Sequence, residues 1–373
     1  MRQKWKHITV HLAIAAGIVA AVGAATLYLL FGSVDNGWKM ARALYLVRTQ
    51  YVHRVGSDQL TQGMLSGLVK STADAHSEYL PPEAYLRLQE AIEGKHVGVG
   101  LLLSQTDGTV IVQEVIPGGS AAQSGQIRQG DRIDKVNGEA VDGIPLAEVV
   151  GKISGAQDTQ VALELYRASE GAYSLSLTRM PFVVPTVTSR FLTQDIACIR
   201  IRSFTEETPT DFQKAYEQLR FNGMRKLVID LRDNPGGSLH AVTEVAKRLL
   251  PKGVLVRIVS RTGKTDMIEL PGAAETVPLV VLINRRSASA SEILASAVQD
   301  FEAGVIVGET SYGKGTVQGV FPLSGHDGLR LTVAEYFSAK GHSINGKGVI
   351  PDKAVDADHL MEEDWMETAI QAF

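Results

Sequence analysis

The sequence predicts a multi-domain α/β protein: an N-terminal transmembrane helix, a helical segment, a small strand-and-turn domain, and an α/β core with a largely parallel sheet. Three observations predict it. Residues 8–31 form an apolar run in which His11 is the strongly polar member. From Val97 to Arg179 short apolar strands alternate with glycine turns. From Thr186 onward, continuous apolar strands alternate with helical stretches, the pattern of a sheet covered on both faces. The expected boundaries are 1–32 (tail and anchor), 33–95 (helical region), 96–180 (strand-and-turn domain) and 181–373 (core).

A chain of 373 residues is long enough for two or three domains with buried cores. Hydrophobic residues make up 45% and charged residues 21%, which excludes a disordered chain. A net charge of -4 with interspersed signs gives no electrostatic argument for nucleic acid. The one cysteine, Cys198, excludes an internal disulfide framework and a multi-cysteine metal site. Its strand-like neighbours, 196–201, mark it as a small buried core residue.

The N-terminal run carries a membrane signal. Twenty-four residues at about 1.5 Å each span roughly 36 Å, enough to cross the hydrocarbon layer. Arg2, Lys4, Lys6 and His7 precede it, which places the short tail in the cytoplasm and everything after Gly32 outside. The expected location is therefore the inner membrane, single-pass, with the larger part periplasmic. A cleaved signal peptide is the competing reading, because Gly23, Ala24 and Ala25 offer small residues for a cut.

Residues 33–93 read as helical from the spacing of Ala41, Leu44, Tyr45, Leu60, Met64, Leu65 and Leu68. Pro81-Pro82 interrupts the pattern, and Pro82 opens a helix over 83–92. Strands are predicted at 110–112 and 161–165, separated by turns at Pro117-Gly118-Gly119 and Asn137-Gly138. In the core, strands are predicted at 226–231, 254–259, 278–283, 305–307, 317–321 and 329–337, with helices at 241–250 and 292–301 and a short closing helix.

Three loops follow strands of this core: 230–237 (DLRDNPGG), 287–292 (SASASE) and 311–318 (SYGKGTVQ). If those strands are parallel, all three emerge on one edge, where open α/β sheets place ligands. Each loop holds a residue type that acyl transfer requires. Ser289 stands before a predicted helix among small neighbours, so its hydroxyl is accessible and helix N–H groups face a developing oxyanion. Ser291, directly before Glu292, reads instead as the helix N-cap. A serine hydroxyl needs a base. Of nine histidines, His240 lies near the loops and His342 could approach by folding, but neither belongs to a recognisable triad. Lys314 is the better base once burial disfavours its charged form. Gly313 and Gly315 let the backbone press close, and Tyr312 could shield it from water. Gly236 and Gly237 supply a glycine turn whose N–H groups, with that of Ala290, suit an oxyanion.

The stretches GVGL (98–101) and PGGSAAQSGQIRQGDRIDKVNGEAV (117–141) resemble the PDZ family. The resemblance implies a peptide carboxylate held by the backbone at Gly98, Val99, Gly100 and Leu101, with the ligand added as a strand. DLRDNPGG, NRRSASASEI (284–293) and YGKGTVQ (312–318), with DAHSEYL (74–80) and LTVAEYFSAKGHSINGKGVIPD (331–352), resemble the carboxy-terminal processing protease family over about residues 40–355. It implies a serine endopeptidase with Ser289 as nucleophile, Lys314 as base and Gln318 orienting the lysine. The oxyanion hole would use Gly236, Gly237 and Ala290. Ala75 departs from the usual proline outside the site. Protein or peptide substrates follow, with no cofactor and no metal. An adaptor protein, a homo-oligomer and gating at the PDZ–core boundary, with Arg128 and Arg132 as places to look, are compatible with the family.

Two other readings fit parts of the chain. Gly308 to Lys314 matches the opening of a phosphate-binding loop, but Gly315 stands where Ser or Thr must hold magnesium, and a strand follows instead of a helix. A catalytically silent PDZ scaffold would need degenerate site residues, and none is degenerate.

Overall fold

The computed structural model describes residues 14, 17, 18, 21–92, 95–273, 275–323, 326–355 and 362–373. The chain divides into two compact units, Met1–Ala73 and Asp74–Phe373. That division falls inside the segment expected to be one helical region.

In the first unit, residues 21–31 are helical, followed by α1 (Val34–Gln50) and α2 (Ser57–Lys70). Ser33 caps α1 by accepting the Asn36 N–H at 3.1 Å. Among the described residues no helix is long and apolar enough to cross a membrane. The expected anchor lies partly outside the described residues, at 8–13, 15, 16, 19 and 20.

The second unit opens with β1 (Glu78–Leu80), a strand inside the stretch expected to be helical. Pro82 then opens α3 (Pro82–Ile92), as its fixed φ favours. Next come β2 (Lys95–Gly98), β3 (Leu101–Thr106), β4 (Thr109–Val115), α4 (Ser120–Ser124), β5 (Arg132–Val136), β6 (Glu139–Ala140), α5 (Leu146–Ile153), β7 (Gln160–Arg167), β8 (Gly171–Thr178) and β9 (Met180–Val183). Strands β3-β4-β5-β7-β8 form an antiparallel sheet with β6 paired to β5, and β2 pairs with β9. Alternation along β7 buries Val161, Leu163 and Leu165 in one core with Val110, Val112, Ile133 and Val149. β3 and β8 are the edge strands of that antiparallel sheet.

The remainder contains β10 (Val187–Phe191), β11 (Ile196–Ile201), α6 (Thr208–Phe221), β12 (Lys226–Asp230), α7 (Leu239–Leu249), β13 (Gly253–Ser260), β14 (Thr265–Leu270), β15 (Leu279–Ile283), α8 (Ala290–Asp300), β16 (Gly304–Gly308), β17 (Thr316–Pro322), β18 (Gly328–Ser338), β19 (Lys353–Ala354) and α9 (Glu362–Ile370). One sheet runs β10-β11-β12-β15-β16-β19; every pairing from β11 onward is parallel, and β10 is antiparallel. Its side chains alternate between two cores. Ile199, Ile229, Val281 and Ile306 face α6, α7 and α8, while Cys198, Val228, Val280 and Val307 pack with Trp365 and Met366 of α9. Burial on both faces is why these strands read as unbroken apolar runs.

The expectation of a largely parallel core needs correcting beyond this sheet. A second, five-stranded sheet is antiparallel throughout: β1-β18-β13-β14, with β17 also on β18. Strand 254–259 belongs to it, not to the parallel series. Among the described residues antiparallel pairing predominates.

Candidate active site

β12, β15 and β16 are parallel neighbours, so the loops that leave their carboxyl ends meet at one edge. Backbone bonds bolt them together. Ala288 N donates to Asn234 O at 3.0 Å, Tyr312 N to Ser287 O at 2.9 Å, and Ser311 N to Val349 O at 3.1 Å. Beside this junction lies a cavity of about 740 Å³ whose lining includes Gly236, Gly237, Ser289, Ala290, Lys314 and Gln318. All six residues expected to do the chemistry therefore converge.

The three serines have different fates. Ser287 is buried and donates to Leu231 O at 2.8 Å; Ser291 is buried and donates to Asn234 O at 3.1 Å. Ser289 alone lines the cavity. The helix starts at Ala290, two residues earlier than expected, so Ser289 occupies the N-cap position and Ser291 lies inside the first turn. This corrects the assignment of Ser291 as the cap. Ser289 has φ 55°, ψ -115°, a conformation that costs a non-glycine residue about 1–3 kcal/mol. Gly236 makes the approach possible: a Cβ there would lie 2.7 Å from Ser289 Cβ and 2.8 Å from Ala290 N.

Glu292 was not assigned a role from the sequence, yet it joins two of the loops. Its buried carboxylate accepts from Ser289 N at 2.8 Å, Lys314 N at 2.9 Å, Gly313 N at 2.6 Å and Ser311 Oγ at 2.5 Å. Burial pushes its carboxyl above the usual range, against the lowering effect of those four donors. The motif contained a signal, since Glu three residues after an N-cap is a capping-box pattern.

Lys314 is half-buried, and its ammonium makes no hydrogen bond or ion pair among the described residues. Burial lowers its pKa, the Arg330 charge lowers it further, and Glu292 acts in opposition. Gly313 and Gly315 are required: a Cβ at 313 would lie 2.9 Å from Gly348 N, and one at 315 would lie 2.4 Å from Asn345 N. Tyr312 is exposed and lines a small cavity together with Lys314. The enclosing aromatic is Tyr336 of β18, which is 2% exposed, donates to Lys314 O and lies against the Ser289 side chain. Burial pushes its phenol well above the ordinary value, so it stays a donor. From sequence it looked like an ordinary aromatic of a strand.

Two expected contacts are not made. No hydrogen bond joins Ser289 to Lys314 among the described residues. Gln318 lies at an irregularity of the β17–β18 ladder, and its Nε2 donates to Thr316 Oγ1 at 2.8 Å and Thr332 Oγ1 at 3.3 Å, not to the lysine. The oxyanion donors also differ from expectation. Gly236 N–H is taken by Asn234 Oδ1 at 2.8 Å, an Asx turn within DNPGG. The N–H groups of Gly237 and Ala290, which line the cavity, have no partner among the described residues. His240 and His342 are exposed and lie outside the cavity, beside Glu244 and Asp300.

A second cavity, of about 400 Å³, is lined by Gly98, Val99, Gly100 and Leu101 with Ile116, Val150, Ile153 and Phe182. Gly100 (φ 79°) crosses Gly119 so closely that a Cβ would lie 2.8 Å from Gly119 Cα. Arg128 and Arg132 do not bridge to the core. They pair with Glu170 and Asp134 within their own domain, and the contact across is Arg202 to Glu114 at 2.6 Å.

An edge-strand peptide groove on one domain and an accessible serine at a strained helix entrance on the next define a PDZ-bearing serine-type peptidase. Comparison with known proteins supports this class. The profile of peptidase family S41 matches residues 195–355 and that of the PDZ domain residues 87–166. The carboxy-terminal processing protease CtpA of Bacillus subtilis is 32% identical over 315 residues, 84% of this chain and 67% of that protein. A "Probable CtpA-like serine protease" of Staphylococcus aureus is 28% identical over 367 residues, 95% of this chain and 73% of the relative. The solved photosystem II D1 C-terminal processing protease shares 32% identity with a TM-score of 0.56, covering 87% of this chain and 88% of that one. The chain belongs to the carboxy-terminal processing protease family, within peptidase family S41.

Proposed function

We propose that the chain is a serine endopeptidase working through a Ser289–Lys314 dyad on protein substrates engaged near their C-termini by the PDZ groove. Neutral Lys314 takes the Ser289 proton as Oγ attacks the scissile carbonyl. The Gly237 and Ala290 N–H groups receive the developing oxyanion, and Gln318 aligns the lysine. Lys314 then protonates the leaving amine, and water repeats the sequence to release the acyl group.

One observation carries the reading: an accessible serine in a strained backbone conformation shares its cavity with a lysine whose charged form is disfavoured by burial. Strain of this kind is stored where function uses it. The peptide-docking step is supported by the free edge of β3 beside an apolar groove. An extracytoplasmic site of action is supported by the apolar run at 8–31 behind basic residues.

Purified full-length protein, Ser289→Ala and Lys314→Ala tested on casein provide the check. Each substitution is expected to lower kcat by at least about 10³-fold, as loss of a member of a nucleophile–base unit does. Substantial cleavage by either variant would remove that residue from the proposed role.

A further inference from the structure

We propose that Asp74, Ser77 and Thr332 are positioning residues that fix the amide of Gln318, so that its carbonyl oxygen is the face offered to Lys314. This rests on the Ser289–Lys314 reading and adds a function for the DAHSEYL segment.

The segment reaches the site from far along the chain. β1 pairs with β18, setting Glu78 opposite Arg330. Just before β1, Ser77 Oγ accepts the Thr332 N–H at 3.0 Å, a bond between residues 255 apart. Ser77 Oγ in turn donates to Asp74 Oδ2 at 2.5 Å, and the His76 N–H donates to Asp74 Oδ1 at 3.1 Å. The Ser77 side chain, and after it the neighbouring Thr332 side chain, hold the Asp74 carboxyl below the usual range, so it stays ionised.

An ionised carboxylate only accepts hydrogen bonds. Beside that carboxylate the Thr332 hydroxyl hydrogen turns toward Asp74, and its oxygen presents lone pairs on the other side, where it accepts from Gln318 Nε2 at 3.3 Å. Gln318 lies opposite Thr332 on β17, where the ladder slips. The amide must then turn its NH₂ toward Thr332, as the 3.3 Å bond and the companion 2.8 Å bond to Thr316 show. An amide has two N–H donors and one carbonyl acceptor. With the nitrogen spent on two hydroxyls, Oε1 is left as the acceptor in the cavity. Lys314 lines the same cavity with an unpartnered amine. Held by Oε1 through one N–H, a neutral amine directs its lone pair elsewhere, toward Ser289. If Thr332 could not accept, the amide would be free to flip and present a donor to another donor.

The test uses the full-length protein on casein, with Thr332→Val, Thr332→Ser, Gln318→Ala and the Thr332→Val/Gln318→Ala double variant. Thr332→Val is expected to lose roughly 10- to 100-fold in kcat, as misalignment of a catalytic group does, with KM little changed. Its acid limb should move to lower pH, because the ammonium loses an acceptor. Thr332→Ser should restore both. In the Gln318→Ala background, Thr332→Val should cost nothing further, since it acts through an amide already absent. Full activity in Thr332→Val, an unmoved acid limb, or an undiminished penalty in the Gln318→Ala background would each overturn the proposal. If Thr332→Val fails to fold, Asp74→Asn goes through the same cycle with the same expectations. Retained activity in Ser289→Ala or Lys314→Ala would instead remove the dyad reading beneath it.

Discussion

At the scale of single residues, what separates Ser289 from Ser287 and Ser291 is where their bonds go. The outer two donate to buried carbonyls, while the middle one stands at the cavity in a backbone conformation that other residues avoid. Sequence could single out Ser289, Lys314, Gly236 and Gly237 as candidates because small neighbours and glycines are local marks of close approach. It could not show that Gly236 N–H is used up, since that depends on the rotamer of Asn234. Nor could it show Tyr336 against Lys314, because that contact joins a loop residue to a strand residue 22 positions later. Glu292 offers the sharpest prediction at this scale. Its Oε2 accepts from both Ser289 N and Lys314 N. Glu292→Gln would set an NH₂ against two N–H donors or leave them unpaired, at a cost of about 2–3 kcal/mol in stability. A fall in thermal midpoint with kcat reduced about 100-fold is expected, since both reacting groups shift. A variant with unchanged midpoint and activity would show that the clasp is not needed.

Among elements, the parallel run β11-β12-β15-β16 brings three loops to one edge, and this was legible because buried strands have continuous apolar patterns. The antiparallel sheet was not, since an apolar strand does not carry its partner's direction in its own residues. β1 escaped for a related reason: its three residues become a strand by pairing with Gly328, Leu329 and Arg330, 248 to 252 positions later. The loop after β12 depends on one further tight packing. Gly237 has φ 138°, and a Cβ there would lie 2.1 Å from Phe204 O, with Phe204 itself buried. Gly237→Ala should therefore destabilise the protein by about 3 kcal/mol or more, through left-handed strain and displacement of the chain at Phe204. Thermal unfolding measures it; a midpoint equal to that of the unmutated protein would contradict the packing account.

For the whole molecule, the PDZ groove and the cavity at Ser289 are separate places in one compact unit, and the Arg202–Glu114 pair ties β4 to the chain just after β11. In the proposed function, binding energy gained along β3 holds a flexible substrate while another part of it reaches Ser289, raising its effective concentration there. The succession of the two domains was readable from the order of motifs. The contact between domains was not, because Arg128 and Arg132 find partners inside their own domain. The account stands on Lys314 acting as an uncharged base. Its most direct measurement is the pH dependence of Ser289 acylation by a peptide p-nitrophenyl ester, with acid quench and mass spectrometry of the acylated peptide. The expected result is an acyl group on Ser289, formed at a rate that rises with pH through a midpoint below the ordinary lysine value of about 10.4, and hardly formed in Lys314→Ala. Acyl transfer to another residue, or the same rate and midpoint without Lys314, would contradict it.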